Sequence, residues 1–587
     1  MNGRVLNKPR DVQVLPIATG TMVVRSRSWT RLKFEIEYAL QRGTTANTYL
    51  IQGAKTALID PPGETFTEIF LQELQQRLDF QRLDYVVLGH VNPNRVATLK
   101  ALLSLTGLSN ITVVCSNPGA IALRNAWSGT ADSDGPADQP LPKIQIMRGE
   151  STLDLGQGHQ LQFIPTPSPR WPDSLCTYDP QTEILFSDKL FGAHVCGDQV
   201  FDEGWQALIE DRRYYYDCLM APNARSVETA LEKLTDLPVR LYAPGHGPIV
   251  RYGLIDLTRS YEKWNREQKI QETSVALLYA SAYGNTATLG QAIARGITKA
   301  GVAVEAINCE VAAPEEIREA AEKCAGFIIG SPTLGGHMPT PVQTALGIVL
   351  ATASKSKLAG VFGSYGWSGE AIDLIETKLQ DAGYSFGFEP IRIKFKPTDA
   401  TLQFCEEAGT DFAQSLKKAK KVREPRQSQP ASSVEQAVGR IVGSLSVITA
   451  QRGDAKSAML ASWVSQATFT PPGLTIAVAK DRAIESLMHS GGRFALNVLA
   501  EGKHLGLMKH FLKPFGPGED RFAGVETQEA SNGSPILKDA LAYLECRAES
   551  RMECGDHWLV YAVVENGSLL QPNALTAIHH RKSGTRY

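Results

Sequence analysis

The 587-residue chain contains no uninterrupted apolar run of eighteen residues, so nothing in it reads as a membrane-spanning helix. It has no excess of either charge: 60 Lys and Arg face 62 Asp and Glu, a formal net charge of −2. That balance removes the electrostatic footprint expected of a nucleic-acid binder or of a protein held on an anionic membrane surface. Its nine cysteines form no CxxC pair and no metal-ligand spacing, and they read as buried or free thiols in a reducing compartment. The opening segment MNGRVLNKPRDVQVLPI lacks the apolar core and small-residue cleavage site of a signal peptide, so the expected location is cytoplasmic. No internal repeat is visible.

What is present is 43% hydrophobic and 21% charged, the balance of a globular protein. The length exceeds one core, and a prior of about 150 residues per domain gives three or four. Residues 1–265 alternate short β-like runs with amphipathic segments, as in Thr48–Ile51, Thr56–Asp60, Tyr85–Leu88, Ile111–Val114, Gln160–Ile164 and Ile184–Phe186, an α/β pattern. Residues 270–418 change to strand and helix at short intervals, predicting a parallel sheet covered on both faces. The basic and Pro/Ser/Gln-rich stretch at 419–434 reads as a linker. Residues 435–587 are β-rich and suggest a small barrel.

Three loops in 270–418 carry the strongest chemical signal. Ser281, Tyr283, Gly284, Asn285 and Thr286 follow a buried strand and open a helix, offering hydroxyls, an amide and unpaired N–H groups to a phosphate monoester. The Lys of a P-loop and the further glycines of a dinucleotide fingerprint are missing, which disfavours ATP and NAD there. Pro332, Thr333, Leu334 and Gly335 end a later strand, and Ser364, Tyr365, Gly366, Trp367 and Gly369 end the next. Glycines admit a ligand ring close to the backbone, and Tyr365 and Trp367 offer aromatic faces. Together the loops resemble those of flavodoxin, which implies flavin mononucleotide (FMN).

In the first domain, Gly89-His90-Val91-Asn92-Pro93-Asn94-Arg95 closes an apolar run and opens a helical pattern, a strand-end position where α/β folds build sites. Pro244-Gly245-His246-Gly247-Pro248 forms a second such turn. The two resemble the first and last ligand segments of the metallo-β-lactamase fold. Fused ahead of a flavodoxin-like domain, they resemble a flavodiiron protein. By that resemblance His90 and His246 match metal ligands, whereas Asn92, Asn94, Arg95, Arg170 and Lys189, the last beside Asp188, stand where ligands are expected. Arg and Lys have no lone pairs to give at neutral pH and repel a cation. The expectation is therefore a degenerate site without iron, holding water or a small anion, in which three basic side chains replace metal charge. His159 and His194 are expected to be structural. A hydrolase is excluded, because no metal-bound water would form.

In the last domain Ser462, Ser465 and Gln466 lie in a hydroxyl- and amide-rich stretch, followed by Lys480 and Arg482, a composition suited to an anionic cofactor. With Asn497, the turn Gly555-Asp556-His557 and the tail His579-His580-Arg581 ending in Tyr587, the segment resembles the split-barrel flavin reductases. That resemblance implies a second flavin, FMN or FAD, reduced by NAD(P)H, with His557 near the nicotinamide.

The expected fold is thus a multidomain α/β chain: a metallo-β-lactamase-like αββα domain, a flavodoxin-like doubly wound sheet and a flavin-reductase-like split barrel. The order resembles the flavodiiron proteins of oxygenic phototrophs. The resemblance implies electron flow from NAD(P)H through two flavins toward oxygen, which is reduced to water as a photoprotective electron sink. It also implies a head-to-tail homo- or heterodimer. With a degenerate metal site, the expected partner is a ligand-complete paralogue. The alternatives are a regulatory subunit without turnover and a metal-independent NAD(P)H:flavin oxidoreductase releasing peroxide.

Overall fold

The computed structural model describes residues 10–30, 42–106, 111–128, 140–149, 151–423 and 432–581. These form two compact units, one ending at Ile270 and the other beginning at Gln271.

The first unit stacks two sheets. A seven-stranded sheet runs in chain order from Asp11–Ala18 to Lys143–Met147. Its first four strands pair antiparallel, and Thr56–Ile59, Leu83–Val87, Thr112–Ser116 and Lys143–Met147 continue parallel. A five-stranded sheet orders Leu241–Pro244, Ile184–Asp188, Leu175–Asp179, His159–Pro165 and Thr152–Gly156. Side chains alternate across each strand, so Val23, Tyr49, Ile51, Ile59 and Val87 meet Phe163, Ile184 and Phe186 between the sheets. The opposite faces of the first-sheet strands, including Val24, Leu50 and Val86, pack on helices Thr67–Gln75, Pro93–Thr106 and Asn117–Ser128. The expected strands all lie in or at the ends of observed ones. Helix Leu254–Ile270 closes the unit, running five residues past the expected boundary at 265, with Tyr261, Trp264 and Asn265 buried on one of its faces.

The second unit begins with a parallel sheet ordered Ala303–Asn308, Ser274–Tyr279, Gly326–Pro332, Leu358–Tyr365 and Ser385–Phe386, with Ile391–Lys394 also paired to Leu358–Tyr365. The central strand Gly326–Pro332 is buried at every position, as a strand covered on both faces requires. Helices Pro314–Lys323, Thr340–Thr352 and Glu370–Asp381 enclose one core. On the other side, helices Asn285–Lys299 and Asp399–Arg423 pack closely through glycine. A Cβ on Gly296 would run into the carbonyl oxygen of Glu406, and one on Gly409 into that of Ile293.

The second half is a seven-stranded antiparallel sheet ordered Ala455–Ala461, Ser446–Arg452, Arg493–Val498, Ala542–Cys554, His557–Leu569, Pro472–Ala479 and Val464–Phe469. The stretch read as a linker is partly helical. Asp399–Arg423 carries five of its residues, and Ser433–Val438 begins with a capping box from Ser432 and Glu435. Residues 424–431 and Tyr587 lie outside the described residues. No helix among the described residues is long and apolar enough to cross a membrane.

The close helix pair carries a measurable expectation. Gly296→Ala forces Asn285–Lys299 and Asp399–Arg423 apart, which costs roughly 1–3 kcal/mol by overpacking. Chemical denaturation of the second unit's transition reads that loss.

Candidate functional site

At the strand ends of the first unit the backbone converges tightly. A Cβ on Gly89 would lie 2.9 Å from the Cβ of Asp188 and 3.0 Å from Oδ2 of Asp60, so only glycine leaves both carboxylates in place. Asp60 and Asp188 themselves adopt positive φ, +55° and +44°, aiming their side chains inward from the ends of Thr56–Ile59 and Ile184–Asp188.

Between these two acids sits Arg95. Its Nη1 donates to Asp60 Oδ1 at 2.9 Å and to the His90 carbonyl at 3.0 Å, and its Nη2 donates to Asp188 Oδ1 at 3.3 Å. His90 Nδ1 bonds Asp188 Oδ2 at 2.6 Å, and Asn92 Nδ2 lies 2.9 Å from His90 Nε2. Asn92 Oδ1 also accepts the Arg95 N–H at 2.8 Å and so starts the helix. Both ring nitrogens of His90 are thereby engaged in hydrogen bonds, leaving no lone pair directed at a metal. Asp188, adjacent to Lys189, is central to the network.

Electrostatics follow the geometry. Burial raises the Asp60 carboxyl to about 6, against the opposing charge of Arg95. Burial also pushes Asp188 up, but His90, Lys189 and Arg95 outweigh it and hold that carboxyl well below the usual range. Two acids sharing one guanidinium thus differ in proton affinity, Asp188 being the one with more cationic neighbours.

The remaining expected positions are scattered around this network. Lys189 is buried with its Nζ 5.6 Å from the Trp171 ring centre, and the Arg170 guanidinium lies 5.1 Å from the same ring. Asn94 is exposed and makes no part of the network. His246 Nδ1 bonds the Thr45 carbonyl at 2.7 Å and its ring packs 4.8 Å from that of His194, which bonds Thr44. His159 pairs with Asp179. Among the described residues no group of three or more His, Cys, Asp or Glu side chains is arranged to hold a metal ion. Asp60 and Asp173, whose carboxylate accepts the Val91 N–H at 2.6 Å, were missed by sequence reasoning. The position of Asp60 directly after the strand Thr56–Ile59 is the signal that would have found it.

In the second unit the three flavodoxin-like loops converge. Thr286 Oγ1 and Ser364 Oγ lie 2.8 Å apart, joining the first and third, and the Thr333 N–H donates to the Ser364 carbonyl at 3.0 Å, joining the second. Ser281 Oγ accepts the Ala287 N–H. Gly284 caps helix Asn285–Lys299 at φ +82°, and Gly335 and Gly336 have positive φ, with open space where a Cβ would stand at all three. Thr333 Oγ1 is buried without a hydrogen-bond partner, a donor awaiting an acceptor. Tyr283 and Trp367 are 87% and 93% exposed, so each offers a bare aromatic face in its own glycine-containing loop. Pro332 and Leu334 shape the second loop, and Tyr365, Gly366 and Gly369 the third. Phe395 joins them unannounced by the sequence: its N–H bonds the Tyr365 carbonyl, it lies 3.8 Å from the Cβ position of Gly366, and its φ is +58°.

In the last module, Ser462 and Arg482 line one cavity of about 440 Å³ beside Trp463. Ser465 and Gln466 lie apart on the exposed strand Val464–Phe469. Lys480 pairs with Glu553 and stands over Trp558. Asn497 does not serve a ligand. Its amide donates to the Val447 carbonyl and Thr449 Oγ1 while its oxygen accepts the Leu537 N–H, so it ties three barrel segments together. The expectation overlooked that a fully buried amide must be satisfied by its own core. His557 bonds Asp556 and packs against Trp463, with the Arg581 guanidinium 4.8 Å from the same indole.

Two substitutions test these arrangements. Arg95→Met takes the guanidinium away from the buried Asp60 and Asp188 carboxylates and costs about 3–5 kcal/mol in the first unit's unfolding free energy. Trp367→Ala removes one aromatic face and weakens FMN binding by about 1 kcal/mol, roughly fivefold, read by flavin fluorescence titration.

Comparison with known proteins agrees with this layout. Residues 44–247 match the ODP family beta lactamase, 277–409 the Flavodoxin family and 438–585 the Flavin reductase like domain. The chain is 72% identical over 580 residues to putative diflavin flavoprotein A 6 of Nostoc sp. (strain PCC 7120), covering 99% of both chains. It is 46% identical to diflavin flavoprotein A 1 of Synechocystis sp. (strain PCC 6803), covering 99% of this chain and 98% of the other. A metal-soaked Flv1 flavodiiron core from Synechocystis sp. PCC6803 superposes with a TM-score of 0.67 at 65% identity, covering 70% of this chain and all of that one. With its three modules in this order and near-complete overlap with these relatives, the chain belongs to the flavodiiron family, among the proteins called diflavin flavoprotein A in cyanobacteria.

Proposed function

We propose that this chain is an electron-transferring oxidoreductase subunit that takes electrons from NAD(P)H through two flavins toward the reduction of oxygen to water, as a photoprotective sink. In this reading it holds FMN in the flavodoxin module and FMN or FAD in the reductase-like module. It works in the cytoplasm, in a head-to-tail oligomer with a paralogue that carries a complete diiron site. The observation carrying this reading is the Arg95 guanidinium bonded to both Asp60 and Asp188.

The family implies two irons, and the side chains present do not fit them. Arg95 occupies the acids, both nitrogens of His90 are engaged, and Lys189 and Arg170 stack on Trp171. Each iron would need several nitrogen or oxygen donors and a balance of negative charge, whereas this pocket gathers cations.

The residues of the flavodoxin module do fit FMN, which when bound supplies reversible electron storage. Ser281, Thr286 and the free N–H groups at the start of Asn285–Lys299 would hold the phosphate, with the helix dipole favouring its charge. Thr333 Oγ1 would donate to a polar ring edge, and Tyr283 and Trp367 would cover the ring faces and exclude water. In the reductase-like module Ser462 and Arg482 would hold the second flavin's polar end.

The closed pocket equally favours a partner subunit whose flavins do not turn over. Anaerobic addition of NAD(P)H separates the two: the proposed role requires bleaching of the bound flavin absorbance, and persistent oxidised flavin in the isolated chain rejects it. Iron analysis of the purified protein is expected to find far less than one iron per chain, and near-stoichiometric iron would reject the degenerate pocket. Mixing with a ligand-complete paralogue is expected to raise oxygen uptake without peroxide. Peroxide from the isolated chain would instead mark metal-independent flavin oxidation.

A further inference from the structure

We propose that the reductase-like module takes its flavin in a pocket half built by the flavodoxin module, with helix Asp399–Arg423 as one wall. This rests on the reading above that the last module binds a flavin, and it adds which residues complete that site.

The cavity beside Ser462 and Arg482 is bounded on its far side by Asp411, Gln414, Ser415 and Lys418 of that helix. At about 440 Å³ it lies in the size range of cofactor sites. Trp463 gives it an aromatic wall, and Phe511 an apolar one. Lys418 and Arg482, one from each module, are exposed and place two cations on its rim, the chemistry a flavin phosphate needs. Asp411 shares the wall. Burial and the nearby Glu407 raise its carboxyl, and Lys418 and Arg521 oppose that shift.

The two walls are fixed to one another. Gln414 Nε2 donates to Asp481 Oδ2 at 3.0 Å, and Glu407 accepts from the Gly518 N–H at 3.0 Å and pairs with Arg521 at 3.1 Å. Deeper, Glu485 of the barrel segment is buried between Arg551 at 2.8 Å and Arg295 of helix Asn285–Lys299 at 3.3 Å. Lys299 of the same helix pairs with Glu406 and reaches the Arg482 carbonyl at 3.3 Å. A pocket held by this many cross-module bonds is formed before its ligand arrives, which saves the ordering cost of binding.

Ser415 allows a steric test in the full-length chain, because an indole there projects from the flavodoxin helix into the reductase-side cavity. Extraction and chromatography of bound flavin are expected to give two flavins per wild-type chain and one per Ser415→Trp chain, the retained one being FMN. Chromatography also tells whether the lost flavin is FMN or FAD. Two flavins in Ser415→Trp overturn the proposal. Should that variant fail to fold or lose both flavins, Lys418→Glu decides: titration of deflavinated protein with FMN and with FAD is expected to show one site weakened roughly tenfold. Wild-type affinity at both sites in Lys418→Glu overturns the proposal. A single flavin in the wild-type chain would reject the two-flavin reading itself, a result distinct from either variant's failure.

Discussion

A guanidinium lodged between two buried carboxylates governs the first unit. Asp60 and Asp188 arrive at strand ends of the two different sheets, both at positive φ and both buried. Such a pair folds only around a cation. Arg95 supplies it from the first turn of the following helix, so the loop, the helix start and both strand ends are fixed by one side chain. Gly89 follows from the same demand, since any Cβ there would displace an acid.

That arrangement divides the molecule's chemistry unevenly. In the first unit the buried carboxylates of Asp60 and Asp188 are paired internally by Arg95. The second keeps an unsatisfied buried threonine hydroxyl, which costs stability without a ligand, beside glycines with open space and exposed aromatic rings.

Much of this was legible in the chain of letters, for reasons that differ by element. The flavodoxin-like loops were readable because glycines, hydroxyls and aromatics cluster directly after apolar runs, and local sequence dictates local backbone there. The cationic character of Arg95, Arg170 and Lys189 was also readable, since charge type is printed in the sequence. What those cations touch was not. Asp60 lies 35 residues from Arg95 and Asp188 93 residues away, and only the fold brings them together. Asn497 looked like a ligand because its three partners, Val447, Thr449 and Leu537, are 40 or more residues distant. The supposed linker was misjudged over 419–423, where the helix continues through a basic cluster that reads as solvated coil.

The helix Asn285–Lys299 has two employments. Its first turn faces the flavin loops, while Arg295, Gly296 and Lys299 near its end meet the barrel segment and the terminal helix. A reductase module grafted onto another flavodoxin would find neither the arginine for Glu485 nor the glycine that admits the terminal helix so closely. Exchange of either module is therefore constrained by one helical face.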